Sequence, residues 1–180
     1  MVPQFRLSAK LAKVLMVGKL KEPNATVALY NDWYLNIIKV RRKNIYFFVH
    51  VKTKVTLAIP NDAIDNVSNF PKHFALMLKN YLTTLHFEEM AIEAYNFFCK
   101  PPQQMFFVKP NNCAAPHHIF DFKRELTYHI KKGGKIDQEL CNEITSSLNN
   151  RPRKSFGYKA ANEIFAENYR SYLANTPTYH

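Results

Sequence analysis

The first chemical feature of this sequence is a run of cations between two aromatic segments. Residues 41–44 separate the β-type segments 33–40 and 45–51, and so short a polar connection predicts a hairpin turn. Cations at a hairpin tip beside exposed aromatic rings can bind phosphates and stack bases. A charged turn that only keeps the sheet soluble, with its aromatics in the core, is the alternative. The cations are Arg41, Arg42 and Lys43, and the aromatics behind them are Tyr34, Tyr46 and Phe48.

Two further groups of cations belong to the same hypothesis. Lys52 and Lys54 lie in the turn after the second strand, and we expect them on one basic face with the hairpin cations. A second candidate patch follows a helix near the carboxyl terminus. It consists of Arg151, Arg153 and Lys154.

Residues for catalysis or metal binding do not form a familiar pattern. The chain has only four glycines and contains no phosphate-binding glycine loop or nucleophile elbow. Cys113 with His117 and His118 could begin a metal site, but adjacent histidines on a helix diverge, so surface histidines at a helix start are the better interpretation. The carboxylate pairs Glu88-Glu89 and Asp62/Asp65 are ordinary for helix starts and turns. We therefore expect no enzyme, cofactor or metal, with an unfamiliar active site as the remaining alternative.

Composition and charge favour a single folded domain with a polyanionic partner. A chain of 180 residues that is 47% hydrophobic can form its own core, which excludes an intrinsically disordered protein. The net charge of +11 is unevenly spread: residues 1–60 carry +9, 61–98 carry −3, 99–135 carry +5 and 136–180 are neutral. Two basic stretches around an acidic middle predict one basic face, although a solvated face without a partner fits equally well.

The cysteines and the amino terminus predict a cytoplasmic protein. Three cysteines at unrelated spacings imply neither a disulfide framework nor a zinc site, which favours a reducing compartment. Lysines interrupt the apolar residues of the first 20 positions, so no signal peptide is expected. No apolar run approaches the length of a membrane span, and we predict no membrane association.

Along the chain, the elements that must position these residues begin with strands and continue with helices. This order predicts an α+β domain over 1–180. Segments 33–40, 45–51 and 55–59 are joined so tightly that they predict an antiparallel β-meander over about 33–59. Short strands are predicted near 4–7 and 104–109. Trp33 is expected in the core. Adjacent apolar residues within the strands predict a sheet with little solvent exposure on either face.

Helical periodicity and capping residues predict the remaining elements. A helix begins after Ser8, and Asp137 is the expected cap of another that ends near residue 148. Segments 70–85, 88–98, 116–132 and 160–172 are also predicted to be helical. We expect the helices from residue 70 onward to cover one face of the sheet.

The strand segments carry a resemblance to a known family. Asp32-Trp33-Tyr34, Asn36-Ile37, the R-R-K turn and the K-T pair at 52–53 look like the signature D-W-Y-x-N-[LI] … R-R-K … K-T of an uncharacterised bacterial domain of unknown function. The likeness covers most of residues 3–170. It implies the same fold and brings no activity, cofactor or catalytic residue.

A second resemblance lies at 148–165. The string L-N-N-R-P-R-K, followed by G-Y-K and N-E-I-F, resembles the end of bacterial insertion-sequence transposases, which read L-N-N-R-P-R-K-x-x-G-Y-K-x-x-N-E-V-F. Transposases need three carboxylates around two metal ions. Asp121 and Glu125 are present upstream, but no pair of strand-borne aspartates precedes them, so transposase activity is not expected. Common ancestry and independent packing solutions both remain open.

These observations lead to one main functional hypothesis and one alternative. The main hypothesis is a small non-catalytic protein that binds the backbone of DNA or RNA through its basic face. The alternative is a protein-interaction module, such as a toxin–antitoxin or phage-defence partner, whose charge complements an acidic protein.

Overall fold

A five-stranded mixed sheet forms the centre of the protein. The structure, a computed structural model, describes residues 4–23, 31–60, 70–99, 106–110 and 115–175. The strand order across the sheet is β4-β3-β2-β1-β5. The strands are Gln4–Arg6 (β1), Asp32–Val40 (β2), Lys43–His50 (β3), Thr56–Pro60 (β4) and Phe106–Val108 (β5).

The predicted antiparallel meander is confirmed as β2, β3 and β4. Val40 pairs with Lys43, so the first turn contains only Arg41 and Arg42 and is tighter than the sequence suggested. The two short strands are also present, and both lie in this sheet. β1 runs parallel to β2 on one side and to β5 on the other.

Six helices surround the sheet in the part of the chain that the structure describes, which confirms the α+β class. Two predicted caps are in place: Ser8 Oγ accepts from Leu11 N at 3.2 Å, and Asp137 Oδ1 accepts from Leu140 N at 3.0 Å. The helices are Ala9–Val14 (α1), Phe70–Thr84 (α2), Glu88–Cys99 (α3), Ala115–Lys131 (α4), Gln138–Asn149 (α5) and Ala161–Asn175 (α6).

The helices cover both faces of the sheet, which corrects the expectation of one covered face. Trp33, Leu35 and Phe48 pack on the side of α1, α2, α3 and α6, whereas Ile38 and Phe47 pack on the side of α4 and α5. Because successive strand residues point to opposite faces, a strand buried on both sides must be apolar at consecutive positions. The unbroken apolar runs in β2 and β3 therefore reflect two cores. Trp33 is fully buried, as predicted.

Both edges of the sheet are covered by other parts of the chain. On the β4 edge, Asn149 Oδ1 accepts from Thr56 N at 2.8 Å and Asn149 Nδ2 donates to Thr56 O at 2.9 Å. Gln138 Nε2 donates to Ala58 O at 2.9 Å further along the same edge. On the β5 edge, the segment at Lys21 pairs with Val108. These contacts occupy backbone groups that an added strand would need.

Candidate functional site

The turn between β2 and β3 places two arginines in solvent. Arg41 and Arg42 are both exposed at this end of the sheet, called the hairpin end below. Arg41 has a φ of 53°, in the left-handed region that glycine and asparagine adopt more readily than arginine. An exposed arginine therefore occupies a position where its backbone is disfavoured.

A hydrogen bond joins the hairpin to the connection between α4 and α5. Lys43 Nζ donates to Ile136 O at 3.2 Å, although the two residues are 93 positions apart. Ile130 and Ile136 pack in the same apolar cluster as Ile38 and Ile45, the last buried pair before the turn. This packing brings three exposed lysines of the α4–α5 connection beside the hairpin. We call the combined cations the hairpin-end surface: Arg41, Arg42, Lys43, Lys131, Lys132 and Lys135.

An exposed tyrosine accompanies the hairpin-end surface. Tyr128 lies one turn before the end of α4 with 53% of its surface exposed, and the Lys132 ammonium lies 4.3 Å from its ring centroid. The rings expected to stack bases lie in the cores instead: Tyr34 is 5% exposed, Tyr46 9% and Phe48 0%. The exposed aromatic ring beside these cations is thus Tyr128, which lies on a helix.

Lys52 and Lys54 lie at the opposite end of the sheet. β3 has eight residues, so the two turns that flank it are about 25 Å apart. The structure therefore does not bring these lysines together with Arg41, Arg42 and Lys43. Lys52 is exposed, but Lys54 Nζ donates to Val51 O and lies 5.7 Å from the Tyr34 ring centroid.

Buried ion pairing also stabilises this opposite end. Arg6 Nε and Nη2 donate to the two carboxylate oxygens of Asp32 at 2.9 and 2.7 Å, with both side chains under one tenth exposed. The Arg6 guanidinium lies 5.8 Å from the Tyr34 ring centroid, and the Lys54 ammonium lies over the same ring. Thr53 closes the turn, since its hydroxyl is 2.8 Å from His50 Nδ1.

The second predicted patch is mostly paired with carboxylates of α4. Arg151 Nη2 lies 3.2 Å from Glu125, and Arg153 Nη1 lies 3.3 Å from Asp121. The Arg153 side chain is 16% exposed, and its buried Nε and Nη2 make no hydrogen bond. Lys154 is the exposed member of the three. Arg151 and Arg153 thus attach the basic turn to α4.

His118 lies beside this turn and is buried, which corrects the expectation of a surface histidine. It is 5% exposed, and its Nδ1 makes no hydrogen bond. Burial lowers the pKa of His118 to about 4; the positive charges of Arg153 and Lys54 add to this, as does His117, whereas Asp121 opposes it. His118 is therefore neutral at pH 7, and His117, its exposed neighbour, is the histidine that meets solvent.

A cleft lined by carboxamides, hydroxyls and apolar side chains runs along the β4 edge between α2, α5 and α6. Its volume is about 580 Å³, within the range of small-molecule sites. Although 22% of the chain is charged, none of the sixteen lining residues is Lys, Arg, Asp or Glu. Amides and hydroxyls dominate the polar lining, and the apolar lining comes from Leu57, Ile59, Leu76, Met77 and Leu85. The carboxamides are Asn80, Gln138, Asn142, Asn149, Asn150 and Asn162.

The transposase-like string forms one end of this cleft. Asn162 Nδ2 donates to Asn150 Oδ1 at 2.7 Å, and Tyr81 of α2 donates its hydroxyl to Asn162 Oδ1. Asn149 holds the β4 edge through Thr56. The two asparagines of L-N-N and the asparagine of N-E-I-F therefore join α2, α5, α6 and the sheet. This gives the string a structural role that needs no catalytic carboxylates.

Comparison with known families supports the first resemblance. A family model described as "Domain of unknown function (DUF6933)" matches residues 4–164. The chain belongs to this family. No curated protein matches the chain. The matched span includes the hairpin-end surface, the cleft and both sheet edges. In this DUF6933 domain, Asp32, Trp33, Tyr34 and Thr53 of the D-W-Y and K-T motifs all contribute to packing or buried pairing.

Cys141 is a further reactive side chain among the described residues of the DUF6933 domain. The Cys141 thiol is buried and its pKa is raised to about 12, mainly by desolvation, which makes it a poor nucleophile. No group of three metal-ligating side chains occurs within the described ranges, and Cys113, Asp62 and Asp65 lie outside them. No helix in these ranges is long and apolar enough to cross a membrane.

Sequence reasoning missed the lysines of the α4–α5 connection, Tyr128 and the cleft. The lysines had a local signal, the K-K-G-G-K sequence at 131–135, although cations at the end of a helix are also favoured by the helix dipole alone. The cleft residues had no local signal, because they come from three helices and a strand that are far apart in the chain.

Proposed function

We propose that this protein binds nucleic acid non-catalytically, holding backbone phosphates on the hairpin-end surface. The observation that carries the proposal is the Lys43–Ile136 hydrogen bond, which attaches the hairpin to a second lysine-rich segment. Five of the six cations of this surface are exposed, and each of these five can neutralise a phosphate. Asp137 lies nearby, but its carboxylate caps α5, which leaves Glu139 as the exposed acid of that turn.

Two further features support nucleic acid as the partner. Tyr128 offers a ring face for a base next to the phosphate-binding cations, as proteins that bind single strands commonly do. Arg41 keeps a cation at a left-handed position, and backbone strain of this kind often occurs at functional sites. A protein partner that adds a strand to the sheet is disfavoured, because Asn149, Gln138 and Lys21 cover the edges.

The test is the salt dependence of binding to labelled single-stranded and duplex DNA. The wild type should bind at low salt and lose affinity steeply as salt rises, and the phosphate contacts themselves should carry no sequence preference. R41A/R42A should lower the slope of log K against log salt by roughly 0.7–0.9 for each lost contact. Lys43 is left intact because it holds the α4–α5 connection.

A matched control removes the same charge elsewhere. Lys10 and Lys13 are exposed on α1, which packs on the other face of the sheet, so K10A/K13A should leave the slope unchanged. Failure of the wild type to bind both kinds of DNA at low salt would contradict the proposal. Equal effects of the two double variants would show that only net charge matters.

A further inference from the structure

The cleft along β4 has a chemistry that the proposed phosphate site does not explain. Its lining carries no Lys, Arg, Asp or Glu, whereas the hairpin-end surface beside it is strongly basic. The two are adjacent because Gln138, at one end of the cleft, lies two residues after Ile136, which accepts the hydrogen bond from Lys43. A ligand for the cleft must be neutral and polar, while the group attached to it can be anionic.

The carboxamides of α5 present a defined pair of hydrogen-bonding atoms. Gln138 Nε2 donates to Asn142 Oδ1 at 2.8 Å and to Ala58 O, and these two hydrogen bonds fix the orientation of the Gln138 carboxamide. This leaves Gln138 Oε1 as an acceptor and Asn142 Nδ2 as a donor, one helical turn apart on one face of α5. The side chain of Asn80 on α2 makes no hydrogen bond in the described part of the chain. The cleft therefore offers an adjacent donor and acceptor, with a further carboxamide on α2.

Among the three bases with an exocyclic amino group, this pattern fits adenine best. Carboxamides pair with the N6 and N7 atoms of adenine, whereas guanine is preferred by Arg or Lys and cytosine by Asp or Glu, which the cleft lacks. The apolar side chains Leu57, Ile59 and Met77 can lie against the faces of a flat ring. Phosphate is a poor occupant, because neither Lys nor Arg lines the cleft.

We propose that the cleft binds an unpaired adenine base, with Gln138 Oε1 accepting from the N6 amino group and Asn142 Nδ2 donating to N7. The base has two sources, a free nucleoside or a single strand whose phosphates lie on the hairpin-end surface. The second source rests on the proposed function, and the first does not. A strand-binding experiment and a nucleoside titration distinguish the two sources.

The strand experiment compares oligodeoxyadenylate with an abasic strand of the same length and charge. Wild-type protein should bind the adenine-bearing strand roughly 5- to 150-fold more tightly, the range expected of one bidentate base contact. S146F places a ring in the cleft and should reduce this difference to the contribution of base stacking on Tyr128. S147F is the control, because Ser147 is exposed on the same helix but does not line the cleft.

The nucleoside experiment records the side-chain amide NMR signals of the protein during titration with adenosine and, separately, cytidine. Adenosine should shift the Asn142 signal, whereas cytidine should not. The N142L variant should lose adenosine binding, and its melting temperature should show that it is folded. Equal affinity for the two strands together with no adenosine shift overturns the inference. Salt-dependent binding of the abasic strand would then still support the phosphate site. Adenosine binding without strand binding supports the cleft and overturns the proposed function.

Discussion

At the hairpin end of the sheet, Arg41 and Arg42 extend into solvent, whereas at the opposite end Arg6, Lys54 and Arg153 lie against other side chains. Both ends look alike in the sequence, as cations in or near turns between apolar strands. The two ends differ in which side chains of the neighbouring helices pack against these cations. The middle of α4 carries Asp121 and Glu125, which pair with Arg153 and Arg151, whereas its last turn carries no carboxylate and leads into the lysines of the hairpin end.

This comparison separates cations that stabilise the fold from cations that are available to a partner. A buried cation without its carboxylate is costly, whereas an exposed cation can be removed with little effect on stability. The following predictions test that separation, from the largest expected effect to the smallest.

Removing the Asp32 carboxylate should have the largest effect on stability. Asp32→Ala leaves the Arg6 guanidinium buried without its bidentate partner and should lower the free energy of unfolding by about 3–5 kcal/mol. Arg41→Ala and Arg42→Ala should each change it by less than about 0.5 kcal/mol. Urea denaturation measures both. Similar losses of unfolding free energy at the two ends would contradict the separation of stabilising cations from available ones.

Acid should weaken the opposite end through His118. Its pKa is about 4 in the folded protein against an ordinary value of 6.5, so between these values the unfolded chain binds a proton that the folded protein does not. Its contribution is fully present above pH 6.5 and is lost as the pH falls towards 4. The loss should reach about 2 kcal/mol between neutral pH and pH 5.

Denaturation at several pH values, with two histidine variants, tests this assignment. His118→Gln should flatten the dependence between neutral pH and pH 5, whereas His117→Gln should retain it because His117 is exposed. A neutral residue in place of Arg153 should raise the pKa of His118, since that positive charge opposes protonation. An unchanged profile in the His118 variant would show that another group titrates.

Replacing Tyr128 should affect binding rather than folding. Tyr128→Ala should weaken single-strand binding by at least about 1 kcal/mol, the lower end of the range for one stacked base, because the ring is half exposed. Phe120→Ala is the control: Phe120 is 66% exposed on the same helix, about 12 Å nearer the opposite end. Fluorescence anisotropy measures both variants. Equal losses of affinity in the two variants would show that the bound base does not stack on Tyr128.

The smallest prediction exploits two turn residues with the same backbone conformation. Arg41 and Lys54 have φ values of 53° and 60°. Arg41→Asn should raise the free energy of unfolding by about 0.5 kcal/mol, because asparagine tolerates this region and no buried contact is lost. Lys54→Asn should lower it, since the ammonium group bonds Val51 O and lies over Tyr34. Thermal melting of the two variants should therefore shift in opposite directions.

The strands and helices could be predicted because their signals are local. Residues 33–59 alternate apolar runs with very short turns, and Ser8 and Asp137 mark helix starts by side-chain capping. The parallel pairing of β1 with β2 and β5 could not be predicted, because residues 4–6 and 106–108 carry no local information about their partners. The covering of both faces was only hinted at by Phe47 and Phe48.

The candidate site was predictable only in part for the same reason. Arg41, Arg42 and Lys43 were found as a contiguous run, but their neighbours Tyr128 and Lys132 follow more than 80 residues later. The cleft is assembled from residues as distant as Leu57 and Asn162. The asparagines of the string at 148–165 appeared as a sequence resemblance, and the structure shows the hydrogen bonds they make.

The sequence by itself determined the elements, the excess of positive charge and the membership of a domain family, since each depends on residue order or composition. Only the tertiary structure decided which cations remain available. Arg151 and Arg153 meet carboxylates 26 and 32 residues away, whereas Arg41 and Arg42 reach the hairpin tip with lysines as neighbours. Charge pairing depends on distances between side chains from separate elements, and those distances exist only after β2, β3 and α4 have packed together.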